Sequence, residues 1–158
     1  MQILKIFIRI IVCAGIFCAA RPHTLLALGQ APPESAERWR QEDEAAKALE
    51  TLRRTYTDRD FSGFFDAVSE DYRQGWIDLR SDLAEERRST SSVDLRFSAG
   101  QTTVEGDKAA LQVRWQKRAM AARTGQSQLS EGSAEFIFQK DSEGSYKLID
   151  IRGQSPFR

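Results

Sequence analysis

Residues 109–116, AALQVRWQ, alternate cleanly: Ala109, Leu111, Val113 and Trp115 fall on one side of an extended chain, Gln112, Arg114 and Gln116 on the other. A period of two sustained this long is the signature of a half-buried strand, and it fixes how the flanking residues are read. Just upstream, Val93, Leu95 and Phe97 alternate with Asp94 and Arg96, residues 102–104 continue extended, and EGDK (105–108) supplies a turn. Downstream, ARTG (122–125) turns the chain, 134–138 forms a further strand, DSEG (141–144) turns it again, and 146–152 is the last strand. Short glycine-containing turns between strands imply an antiparallel meander. The polar stretches 120–123 and SQLSEGS (127–133) read as a long bent hairpin with no chemistry of their own.

Before the strands the period is helical. From a Ser35 cap to about Thr57, Trp39, Ala46, Leu49, Leu52 and Tyr56 recur among charged residues, which predicts an amphipathic helix. Asp60 caps a short second helix over DFSGFFDAVS (60–69), with Phe61, Phe64, Phe65 and Val68 as its apolar stripe. A third helix spans about 78–88, carrying Leu79 and Leu83, with Trp76 beside them. Three helices followed by about four strands predict an α+β fold in which helices cover one face of a curved antiparallel sheet.

The chain of 158 residues balances 23 Lys and Arg against 23 Asp and Glu. So mixed a surface suits neither nucleic acid nor an anionic membrane. Lys5 and Arg9 precede an uncharged apolar run at residues 10–20 (IIVCAGIFCAA), short for a membrane span and right for a signal peptide. The expected organisation is a leader over 1–29, cleaved after Ala20 or near Gly29, a Pro-Pro linker over 30–34, and one domain over 35–158. Export to the periplasm or beyond follows, or tethering to the inner membrane if the leader is retained. Val12 before Cys13 and Phe17 before Cys18 argue against a lipoprotein. Both cysteines, and the single His23, lie in or beside the leader. The mature domain therefore has no disulfide, no His- or Cys-based nucleophile and no thiolate or imidazole metal site. No phosphate-binding loop, nucleophile elbow or dinucleotide fingerprint occurs, and no metal or cofactor is expected.

The helix-DRDFSGFFDAVSEDYR-helix segment (58–73), with the closing YKLIDIRGQSPF (146–157), resembles the nuclear transport factor 2-like superfamily with its SnoaL-like domains, over roughly 40–157. It looks most like that superfamily's exported bacterial members, and more faintly like the domain of this fold beside some L,D-transpeptidase domains. The resemblance implies a cone-shaped fold whose open end can hold an apolar pocket, and a homodimer formed through the outer sheet face. Tyr56 occupies a place like that of the ketosteroid isomerase tyrosine. The loop after the second helix, DYRQG, presents no obvious general base, and no histidine is available for a dehydratase-like dyad.

Asp150 and Arg152 alternate with Ile149 and Ile151, so either pair can face the concave side. Turned inward, Asp150 would meet a low-dielectric wall that raises a carboxyl pKa unless Arg152, Arg114 or Tyr72 compensates, making it a candidate base. Turned outward, it is an exposed residue at a strand edge. Tyr56 and Tyr72 are the candidate partners, Tyr56 also reading as a core residue with a boundary hydroxyl. Trp115, Arg114, Arg152 and Phe65 are candidate pocket-lining residues, Trp115 equally a core residue. Two functions stay open. The favoured one is a non-catalytic domain binding a small apolar ligand or an envelope protein; the other is a small isomerase, dehydratase or hydrolase-like enzyme using Asp150 with Tyr56 or Tyr72.

Overall fold

A run rich in Ala, Leu, Glu and Arg, with no interior Gly or Pro after its first residue, makes the long helix α1, Pro33–Thr57. The computed structural model describes residues 33–157; the leader with Cys13, Cys18 and His23, and residues 30–32 of the linker, lie outside them. The helix starts at Pro33 rather than at Ser35, because proline is tolerated in a first turn whose N–H groups lack partners. Its buried stripe is Ala45, Leu49, Leu52 and Tyr56. The expectation for Trp39 and Ala46 is corrected here: Trp39 is 72% exposed and Ala46 is exposed too. Seven residues apart, both lie one position, about 100°, off the stripe.

The turn after α1 holds Arg59 in the left-handed region at φ 60°. Its guanidinium repays that conformation by donating to the carbonyls of Arg87 (2.6 Å), Thr90 (3.0 Å) and Ser91 (2.9 Å). The α1 end is thereby tied to the end of α3 and the start of the sheet. Helix α2, Phe61–Asp66, is capped as expected, the Asp60 carboxylate accepting from the Gly63 amide at 3.0 Å. Helix α3, Trp76–Ser89, buries Leu79 and Leu83.

Four strands follow in one antiparallel sheet of order β1-β2-β3-β4: β1 Thr90–Glu105, β2 Lys108–Ala121, β3 Ser127–Lys140 and β4 Tyr146–Gly153. Strand β1 is continuous, with a register shift between Ala99 and Thr102. The polar 127–133 stretch is strand as well, paired with β2 from Lys117↔Ser130 to Met120↔Ser127. Backbone pairing along a long partner outweighs its weak intrinsic preference. In β4 a shift between Ile137 and Phe138 inserts Ile149 as an extra residue, so that Leu148 and Ile151 both face the core. The edge of β4 is covered: the Ser69 amide donates to Leu148 O at 2.8 Å and the Arg73 amide to Ile149 O at 3.0 Å.

Helices and sheet enclose Leu52, Phe64, Leu83, Leu95, Leu111, Phe136, Phe138 and Ile151, all nearly inaccessible. At Gly153, φ 96° turns the chain back so that Gln154 N meets Ser133 O at 3.1 Å. Trp115 then lies over Gly132, its Nε1 donating to Gln154 O at 2.7 Å. A Cβ at Gly132 would stand 2.6 Å from both the indole and the Gln154 side chain. Gly132→Ala is expected to cost about 1–3 kcal/mol as overpacking. Urea unfolding measures it, and an unchanged midpoint would refute this packing.

Candidate functional site

The inward alternation of β2 does not stop at Trp115: two residues on, Lys117 also points into the cone, between Leu95 on β1 and Ser130 on β3. On α3, Glu86 continues the Leu79 and Leu83 face by one turn. Tyr56, at the end of α1, completes the group. The Lys117 ammonium donates to Glu86 Oε1 (2.9 Å), Pro156 O (2.7 Å) and Tyr56 Oη (3.3 Å), and Tyr56 Oη donates to Glu86 Oε2 at 2.5 Å. All three ammonium hydrogens have acceptors, and one positive charge faces one negative. The group is largely withdrawn from water, the side chains being 10% (Lys117) and 19% (Glu86) exposed.

Burial, then the Glu86 charge, then the hydrogen bond to it, all push the Tyr56 phenol well up. Tyr56 thus keeps its proton, which it donates in a hydrogen bond to Glu86. An unfolded tyrosine ionises near pH 10, whereas the folded protein keeps this proton, so the stabilisation is whole below about pH 10 and lost above it. Stability should fall above that pH by about 1.4 kcal/mol per unit for this group, and Tyr56→Phe should remove that part of the slope. Tyr146, also pushed up by burial, adds a dependence of the same sign that this variant leaves in place. Denaturant titrations between pH 9 and 11 provide the check; identical slopes in both proteins would contradict it.

Behind the polar group the cone is filled by aromatic rings. Phe157 meets Tyr56 and Phe64 with centroids 5.0 Å away and Phe136 at 6.2 Å, edge to face in each case. In front lies an open cleft of about 470 Å³ between α3 and the far ends of β2 and β3, with Glu86, Lys117 and Phe157 among its lining residues. Among the described residues no group of three or more potential metal ligands comes together, and no helix is long and apolar enough to cross a membrane.

No family model matches this sequence, and no curated protein does. Solved structures do. An NTF2-like superfamily protein from Salmonella enterica serovar Typhimurium superposes with a TM-score of 0.66 at 14% identity, over 75% of this chain and 93% of its own. A conserved protein from Planctomyces limnophilus gives 0.66 at 10% identity, over 74% of this chain and 100% of its own. The chain has the nuclear transport factor 2-like fold. A type 2 hexachlorocyclohexane dehydrochlorinase is also similar, with a TM-score of 0.63 at 11% identity, over 76% of this chain and 88% of that one.

Within the nuclear transport factor 2-like cone, only Tyr56 and Trp115 of the residues singled out from sequence line the interior near the polar group. Asp150 pairs with Ile137 on the opposite, outer face, where Gln74 Nε2 lies 3.4 Å and Arg152 Nε 3.6 Å from its carboxylate. It is 8% exposed because the 69–75 loop covers it, not because the cone encloses it. Arg114 and Arg152 are exposed on that same outer face, Arg152 bridging to Glu135 at 3.3 Å. Phe65 sits between α2 and α3, its ring 4.9 Å from Trp76 and under Arg80. Tyr72 is buried in the core beside the loop. Not singled out from sequence were Lys117 and Glu86, which stand beside other charged residues in the chain. Carrying the two-residue period past Trp115 and the helical period past Leu83 would have found both.

Proposed function

We propose that the protein is exported and that its domain works by binding, without catalysis, holding a small apolar ligand at the mouth of the cone. One observation carries this reading: the polar group beside the cleft is closed on itself, Lys117, Glu86 and Tyr56 satisfying one another and Pro156 O. No acid or base in that group is left over for proton transfer, while the open cleft beside it, where Ala119 and Phe157 stand among polar residues of α3 and β3, gives room for a small guest. Export rests on the basic-then-apolar leader of residues 5–20. Protein isolated from the producing cells should have lost its leader by intact mass and should carry a small molecule in native mass spectrometry. A chain with neither ligand nor an envelope protein captured by crosslinking would overturn the binding reading, and a full-length cytoplasmic product would overturn export.

An acid–base enzyme is the second reading, favoured by the Tyr56–Glu86 contact next to an open cleft and by the dehydrochlorinase that shares the fold. Tyr56→Phe separates the two. Under the favoured reading the variant retains its ligand; under the second it loses turnover of any substrate found.

A further inference from the structure

We propose that residues 154–157, the segment following β4, are a displaceable internal ligand, and that the site beneath them takes an external molecule bearing a phenyl ring and a carbonyl group separated by three chain atoms. This rests on the binding function above and names its ligand class and its control.

The segment presents two recognition elements to the domain. Its phenyl ring, on Phe157, is 1% exposed and enters a cage of Tyr56, Phe64 and Phe136. Edge-to-face packing on three sides is a geometry that any aryl ring of that size satisfies. Its carbonyl, on Pro156, accepts from Lys117 at 2.7 Å, a charge-assisted bond open to any carbonyl oxygen in that place. The spacing of ring and oxygen is thus already written in the site by its own occupant.

The hold on the segment is also of a kind that can be released. Gln154 is fixed by its amide to Ser133 O and by its carbonyl to Trp115. Beyond it the ladder ends: Pro156 has no N–H, and the Phe157 amide turns inward to Ser155 Oγ at 3.3 Å. Among the described residues, no backbone hydrogen bond joins residues 155–157 to the sheet. A stretch held by two buried side chains, Pro156 and Phe157, and one side-chain bond, with no ladder of its own, opens before the strands do. The cleft against which Phe157 lies gives it somewhere to go and a guest a way in. A guest that needs the open form then binds with an affinity reduced by the fraction open.

The test uses the full chain with 4-fluorophenylalanine at its phenylalanines and N-(2-phenylethyl)acetamide as the probe, in which an NH and two methylenes separate carbonyl from ring as the backbone N, Cα and Cβ of Phe157 do. The fluorine signal of Phe157 is assigned by its loss in Phe157→Leu or, if that variant fails to fold, in Phe157→Tyr. N-(2-phenylethyl)acetamide should shift the Phe157 signal towards that of a solvent-exposed ring in the unsubstituted protein. Phe157→Leu, whose smaller side chain holds the cage less well, should bind the probe roughly tenfold more tightly. Ethylbenzene, which lacks the carbonyl, should bind more weakly than N-(2-phenylethyl)acetamide to both. N-(2-phenylethyl)acetamide bound with the Phe157 signal unmoved would overturn displacement while leaving the binding function standing. No binding of either probe to either protein would overturn the ligand class; the binding function itself falls only if the protein from cells also carries nothing.

Discussion

Lys117→Met is expected to lower the unfolding free energy by about 3 kcal/mol, the low end of the range for orphaning a buried charge. Methionine keeps the apolar stem in place beside Tyr56 and removes only the ammonium. What is left behind is a carboxylate on Glu86 with one remaining donor, Tyr56, and a buried carbonyl on Pro156 with none from the sheet. The low end applies because Glu86 keeps 19% of its side-chain exposure and can draw on some water. Removing the acid as well reverses the logic, since two apolar groups need no partners: Lys117→Met with Glu86→Leu should recover most of the loss, to within about 1–2 kcal/mol of the parent. Urea unfolding of the four proteins closes the cycle. Strictly additive losses would mean that Lys117 and Glu86 are not coupled, and the closed polar group would have to be abandoned.

The sequence made the architecture readable where a period ran uninterrupted. AALQVRWQ, the Leu49–Leu52–Tyr56 spacing and the Asp60 cap each led to the element that forms, because burial on one side imposes the period on the residues. Phase was harder than type. Trp39 and Ala46 share a phase one residue away from Ala45, and composition alone does not say which of two adjacent alanines meets the sheet. Asp150 was undecidable for a comparable reason: with period two, one inserted residue swaps the faces, and the extra residue Ile149 is visible only as a pairing shift against β3. The polar group stayed hidden because its members come from α1, α3, β2 and the segment after β4, and a charge inside a core is chosen by its partners rather than by its neighbours in sequence. Phe157 followed no period at all; its burial depends on the turn at Gly153.

Phe136→Ala should be the most damaging apolar truncation in the domain, at about 4–5 kcal/mol, the upper part of the range for emptying a buried phenylalanine site. The spread in such losses reflects how far the surroundings can collapse, and around Phe136 they have little room to move. It is wholly inaccessible on β3, whose backbone is paired on both sides, to β2 through Leu111 and to β4 through Ile151. Its ring stands 5.3 Å from Phe97 and 6.2 Å from Phe157, so the void would open in the floor of the aromatic cage itself. Phe157→Ala should cost less although that ring is as deeply buried, because the segment carrying it is not laddered to the sheet and can settle into the space it leaves. Denaturant midpoints at unchanged slope would measure both losses. The ordering matters more than either value: a cage with a fixed floor and a yielding occupant is what an exchange of Phe157 for an outside ring requires, and a larger loss at Phe157 than at Phe136 would show that the floor is the part that gives.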